Sequence, residues 1–187
     1  MRIILASQSQ YRKHALNILG LTYETIPSNI DESSIRHDDP AELAKLLSEA
    51  KAKKIGEKHD AIIIAADLFV VHNNKIIEKP KDEAHAKEML KSFSGKTFEI
   101  VTGLALYNSI TKKLSSSTER CKVTFRNLSD FEIENYISRF PVLKCAGAFE
   151  ADGLLRFADH IEGNYCFRTG IPVNKLILFL RENDIEV

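Results

Sequence analysis

The stretch Ala61-Ile62-Ile63-Ile64-Ala65-Ala66-Asp67 decides the fold class. Residues 61–66 are continuously apolar, the pattern of a strand covered on both faces in a parallel sheet, and the run stops at an aspartate. It is expected to be the central strand, ending at Asp67. A charge leaving a buried strand is unfavourable unless it is paired or binds a metal, so Asp67 is the first candidate for chemistry.

Upstream, residues 3–6 form another short apolar run, followed by polar Ser7-Gln8-Ser9-Gln10 and then Ala15, Leu16, Ile18 and Leu19 at helical spacing before Gly20. Residues 22–26 read as a strand. Asp39-Pro40 supplies an N-cap with proline at the first helical position, opening a helix through Leu43, Leu46, Leu47, Ala50 and Ile55. Downstream, His72-Asn73-Asn74-Lys75 has tight-turn composition, and residues 82–93 read as a third helix before Ser94-Gly95. From Lys96 the texture changes. Residues 98–107 and 120–126 are β-branched or alternating, with Cys121, Val123 and Phe125 opposite Arg120, Lys122, Thr124 and Arg126, as in antiparallel strands with one wet face. Ser129-Asp130-Phe131-Glu132 has capping-box spacing and opens a helix to about Arg139, and a last helix starts near Pro172 with Leu176, Ile177 and Leu180.

The expected fold is mixed α/β: a twisted sheet with a βαβαβ N-terminal half, a long antiparallel middle section, flanking helices, and a cleft at the strand ends. Residues 1–187 are expected to form one domain, or one with two lobes.

With 26 Lys+Arg against 26 Asp+Glu, the net charge is zero, which argues against affinity gained by neutralising a nucleic-acid backbone. Arg120, Lys122 and Arg126 on one strand face suggest a single-strand nucleic-acid module only weakly, because aromatic interleaving is missing. Cys121, Cys145 and Cys166 are odd in number and lack metal-ligand spacing, so reduced thiols in a cytoplasmic protein are expected. No apolar run approaches the roughly 20 residues that span a bilayer, so no membrane partner is expected. The six His show no H-E-x-x-H spacing, no Ser-His-Asp or Cys-His set assembles, and no P-loop signature is present.

In open α/β sheets, ligands bind beyond the carboxyl ends of the strands, where loops meet helix N-termini. Those ends carry Ser7, Ser9, Arg12 and Lys13, then Asp31 and Glu32, then Asp67. Hydroxyls and cations suit phosphate oxygens, while clustered carboxylates suit a hard divalent cation bridging them. Lys51 and Lys79 are candidate point charges beside them. Plainer roles exist for each: Ser7 as a helix cap, Asp31-Glu32 as a solvated turn, the lysines as surface charge.

The ordered set Leu5-Ala6-Ser7-Gln8-Ser9 with Arg12-Lys13, Asp31-Glu32, Glu49-Ala50-Lys51-Ala52, Ala65-Ala66-Asp67, Lys79-Pro80, Gly95, Thr102-Gly103 and Gly170-Ile171-Pro172 resembles the Maf family of nucleoside triphosphate pyrophosphatases, once called septum formation inhibitors. The likeness covers nearly the whole chain. It implies hydrolysis between the α- and β-phosphates of a nucleoside triphosphate with Mg2+ or Mn2+, and pairing as a homodimer. By position, the resemblance implies that Ser7, Arg12 and Lys13 contact triphosphate, that Glu32 and Asp67 bind metal or activate water, and that Lys51 and Lys79 are the cationic partners of the phosphates. Tyr11, and Cys145-Ala146-Gly147-Ala148-Phe149 followed by Gly153, are similar to the branch that prefers 7-methyl-GTP over dTTP and UTP; an aromatic ring suits a cationic methylated base. Gln10, Lys13 and Leu68 depart from the usual proline, arginine and polar residue, and Leu68 bears most on substrate identity. A nucleotide-binding regulator of septum formation with little turnover is the competing expectation, against which Glu32, Lys51, Asp67 and Lys79 together speak for turnover.

Overall fold

A computed structural model describes residues 1–164 and 166–187. In chain order its elements are β1 (Ile3–Leu5), α1 (Gln10–Ile18), β2 (Glu24–Thr25), α2 (Pro40–Gly56), β3 (Ile62–His72), β4 (Lys75–Ile77), α3 (Glu83–Phe93), β5 (Thr97–Asn108), β6 (Lys113–Phe125), α4 (Asp130–Ile137), α5 (Ala151–Phe157), β7 (Ala158–Gly163), α6 (Cys166–Thr169) and α7 (Val173–Arg181). The mixed α/β class is as expected from the sequence. The chain divides into two compact units, Met1–Leu68 with Val101–Glu119 and Asn164–Val187, and Phe69–Ile100 with Arg120–Gly163.

In the first unit β1 pairs in parallel with both β2 and β3, placing Ile4 opposite Glu24 and Ile63. Alternation then divides the strands between two faces. Ile3, Leu5, Ile62 and Ile64 pack with Ala15 and Leu16 of α1 and Leu176 and Leu180 of α7, while Ile4, Ala6, Ile63 and Ala65 pack with Ala52 and Ile55 of α2. Covering on both faces is why residues 61–66 carry no polar side chain. Ile18, at helical spacing with Ala15 and Leu16, is nevertheless 57% exposed, because α1 ends there and Gly20 turns the chain at φ 66°.

Helix α2 starts as its sequence requires: the Asp39 carboxylate accepts from the Ala41 N–H at 2.7 Å and Pro40 opens the first turn. Gly103 on β5 fixes its depth, since a Cβ there would sit 2.2 Å from the Ala44 carbonyl oxygen. Lys51 stands two turns further along the same helix, so this close approach sets the height from which its side chain reaches.

The second unit is built on aromatic packing. Phe93, Phe98, Phe125, Phe149 and Phe157 form a chain of ring contacts with centroids 4.7 to 6.0 Å apart. The tight turn is present, with Asn73 and Asn74 both left-handed at φ 51° and 59°, joining β3 to antiparallel β4. The Ser129–Glu132 capping box is also present. Strand β6 pairs antiparallel with β7, and Cys121, Val123 and Phe125 point inward as the alternation requires.

Two expectations are corrected. The central strand does not end at Asp67; it continues through Leu68, Phe69, Val70 and Val71 to His72, because the carboxylate is paired where it stands and need not leave the sheet. The strand of residues 22–26 shortens to Glu24–Thr25. The segment after residue 150 adds α5, β7 and α6, which lack a strong hydrophobic period: in β7 only Ala158 and Ile161 are even partly covered.

Candidate active site

Three segments of the first unit meet around Lys51. Its ammonium donates to Asp67 Oδ1 at 2.5 Å and pairs with Glu32 Oε1 at 2.9 Å, with the Lys51 side chain only 9% exposed. Asp67 is buried in mid-β3, whereas Glu32 is largely exposed on a short 3-10 turn, Glu32–Ser34. Asp31 is spent locally: its carboxylate accepts from the Ser33 N–H at 3.0 Å and the Ser33 hydroxyl at 2.6 Å, which holds it below the usual carboxylate range. The turn therefore uses one acid of the pair and presents the other.

Ser7, directly after β1, is held by the Ala6 N–H donating to the Ile64 carbonyl at 2.8 Å. Its hydroxyl accepts from Arg12 Nη1 at 3.1 Å and from the Ser9 N–H at 3.2 Å. Ser9 is the N-cap residue of α1 and makes no side-chain cap, so the hydroxyl of Ser7 serves the Arg12 guanidinium as well as the turn. Ser7, Arg12, Glu32 and Lys51 line one open cavity of about 340 Å³ together with Ala6, Pro27, Ser28, Asn29 and Ile30.

Burial dominates the proton affinities. Burial raises the Asp67 carboxyl above the ordinary aspartate value; Lys51 and Arg12 oppose this without overcoming it, and Glu32 adds to it. Burial likewise lowers Arg12, against the pull of Asp67 and Glu32. The two acids and two cations of this cluster balance in formal charge, and burial rather than excess charge moves Asp67 and Arg12 from their ordinary values.

Of the candidate residues in the sequence, Ser7, Arg12, Glu32 and Lys51 line that pocket, and Asp67, which does not line it, joins them through its pair with Lys51. Tyr11, 38% exposed, and half-buried Lys13 lie on the first turn of α1 and do not line the cavity. Lys79 belongs to the second unit, exposed after β4, where its charge acts on the Cys145 thiol that burial pushes up. Pro27, Ser28, Asn29 and Ile30 join the site without having been expected there. Asn29 has φ 48°, and an asparagine inside a polar stretch after a strand is the available signal for such a turn. On the strand face considered for nucleic acid, Arg120 pairs with Glu99 at 2.7 Å and Arg126 with Glu132 at 2.6 Å, so acids of the same unit offset that charge. No helix among the described residues is long and apolar enough to cross a membrane.

The sequence profile of the family described as "Maf-like protein" matches residues 2–183. The chain belongs to the Maf family. Among curated relatives, a dTTP/UTP pyrophosphatase from Bacillus cytotoxicus is 36% identical, covering 98% of this chain and 96% of that one. A dTTP/UTP pyrophosphatase from Bacillus cereus is 37% identical, covering 100% of this chain and 97% of that one. Among solved structures, a HAM1 protein from Coxiella burnetii aligns with a TM-score of 0.49 at 15% identity, covering 97% of this Maf-family chain and 99% of that chain.

Proposed function

We propose that this Maf-family protein hydrolyses a nucleoside triphosphate between its α- and β-phosphates, releasing a nucleoside monophosphate and pyrophosphate, with dTTP and UTP as substrates. The observation that carries the reading is the Lys51 ammonium shared by Asp67 and Glu32 beside the Ser7–Arg12 pair on a cavity open to solvent. The pyrimidine preference rests on relatives that align over their whole length and are named for it.

In this reading Arg12 and Ser7 hold triphosphate oxygens, with the guanidinium supplying a fork of donors matched to them. Asp67, whose proton affinity is raised by burial, takes a proton from the attacking water. The water oxygen bonds to the α-phosphorus, and the bond from that phosphorus to the bridging oxygen breaks, so pyrophosphate leaves with the bridging oxygen. Lys51 holds Asp67 in place and offsets charge on the phosphates, and Lys13 on α1 adds cationic charge to the leaving group. Glu32 and Asp67, brought together by Lys51, would hold a divalent cation in the Mg2+ manner, in which one or two carboxylates are completed by substrate phosphates and water. Such a cation supplies positive charge to the phosphoryl oxygens as negative charge spreads over them.

Of the residues that suggest 7-methyl-GTP, Gly147 and Phe149 have packing roles. Gly147 has φ 68°, a Cβ there would lie 2.7 Å from the Phe149 ring, and Phe149 belongs to the aromatic core of the second unit. The test is a panel of dTTP, UTP and 7-methyl-GTP with Mg2+ or Mn2+, with products separated by anion exchange. Monophosphate and pyrophosphate from dTTP and UTP are expected. A strong preference for 7-methyl-GTP overturns the pyrimidine assignment, release of inorganic phosphate with a diphosphate overturns the site of cleavage, and binding without turnover returns the regulator.

A further inference from the structure

The Gly170-Ile171-Pro172 motif has no place in the chemistry above. Gly170 is buried and left-handed, at φ 63°. Its N–H donates to the Cys166 carbonyl at 2.7 Å, closing the short helix α6, and the neighbouring Thr169 hydroxyl donates to the Ile171 carbonyl at 2.6 Å. Ile171 is fully buried, and Pro172 leads directly into α7, whose Leu176 and Leu180 lie in the core. The turn is therefore anchored on both sides.

What this anchored turn faces is Arg12. A Cβ on Gly170 would stand 3.2 Å from Arg12 Cγ, 3.5 Å from Nε and 4.0 Å from Cδ, so the stem of the arginine lies along the bare backbone of the glycine. Gly20 makes a useful contrast: it has the same left-handed backbone, φ 66°, with nothing within 4 Å of the position a Cβ would take. Both glycines answer the same backbone requirement, but only Gly170 also leaves room for a functional side chain.

We infer that Gly170 is a positioning residue: its missing side chain lets the Arg12 stem lie flat against the α6–α7 turn, which aims the guanidinium at the Ser7 hydroxyl and at bound triphosphate. A methyl group there forces one partner to move by a few tenths of an ångström. The turn is held by two hydrogen bonds and a core residue, whereas the arginine stem is a chain of rotatable bonds, so Arg12 moves and its 3.1 Å bond to Ser7 is strained or lost. The inference rests on the reading of Arg12 as a triphosphate contact.

Four variants separate the possibilities: Gly170→Asn, Gly170→Ala, Gly20→Ala and Arg12→Ala, with Gly170→Asn also made in the Arg12→Ala background. Asparagine tolerates the left-handed backbone and still carries a Cβ, so it isolates the contact from the strain. Steady-state kinetics with dTTP should show kcat/KM falling roughly tenfold in Gly170→Asn, mainly through KM, the scale set by one impaired charge-assisted hydrogen bond. Gly20→Ala should melt as early as Gly170→Ala yet keep the parental KM. In the Arg12→Ala background, where Cγ is gone, Gly170→Asn should cause no further loss. An unchanged KM in Gly170→Asn, or an equal fall in both backgrounds, overturns the positioning role. If Arg12→Ala itself turns over dTTP like the parent, the triphosphate reading of Arg12 fails first and the inference falls with it. If the Gly170 variants accumulate only when Arg12 is alanine, the contact is confirmed by that rescue; failure to fold in both backgrounds counts against it.

Discussion

Replacing Lys51 with methionine keeps an unbranched apolar stem and deletes the ammonium that joins two acids. Asp67 would then stand in mid-strand with the closest of its lowering influences gone, while Glu32, mostly exposed, loses a partner that solvent can replace. Because the Lys51 and Asp67 side chains are only 9% and 11% exposed, the comparison is with a broken buried pair, about 3–5 kcal/mol at neutral pH. For a chain of this size that corresponds to roughly 6–20 °C in Tm. The loss depends on pH in a defined direction. The folded Asp67 carboxyl already binds its proton more tightly than the unfolded one, and Lys51→Met raises it further. The added penalty is complete above that raised value and disappears as pH falls through it towards the ordinary aspartate value, because a protonated Asp67 needs no counter-charge. Urea denaturation of parent and variant at pH 7.5 and at about pH 4.5 measures this: a large gap should narrow on acidification. A gap below about 1 kcal/mol at pH 7.5, the range of exposed pairs, would refute burial as the source of the coupling. So would a gap that is the same at both pH values.

Further outcomes follow from other contacts. The family resemblance alone makes Lys79 a cationic partner of the phosphates: on that reading Lys79→Ala lowers turnover of dTTP while Lys87→Ala, whose ammonium is engaged with Glu134, leaves it near parental, and equal effects in a steady-state assay remove Lys79 from the chemistry. Glu132, held down to about 2 by the Ser129 backbone and hydroxyl and by Arg126, contributes stability that is present above the ordinary glutamate value and lost as pH falls towards 2. Glu132→Gln should therefore melt earlier than the parent at pH 7 and converge with it in acid, as followed by circular dichroism.

Much of this architecture is legible in the amino-acid sequence itself. The two-faced central strand, the Asp39-Pro40 helix start, the Asn73-Asn74 turn and the Ser129–Glu132 capping box each depend on interactions within a few residues, and local chemistry decides them. The end of β3 is not legible in the same way, because the reason for burying Asp67, the Lys51 ammonium, comes from sixteen residues upstream on α2. The same non-locality hides the role of Gly170: a left-handed glycine is visible in a sequence as a turn, but not the arginine stem that lies across it. Asp31 and Glu32 are indistinguishable as adjacent acids until the 3-10 turn bends one back onto Ser33 and sends the other to Lys51. Elements α5 to α6 are illegible because a mostly exposed β7 has little hydrophobic alternation to show.

The central claim is that the buried acid on β3 activates water against a triphosphate. Release of pyrophosphate from dTTP by the parent and by Asp67→Asn, in the same Mg2+ buffer and with equal secondary structure, tests it most directly. Asparagine keeps the shape, and Lys51 keeps its 2.9 Å pair with Glu32, so the variant should fold. Its turnover should fall by about 10²–10⁴-fold, the range for loss of a general base. A variant that releases pyrophosphate as fast as the parent would contradict the assignment.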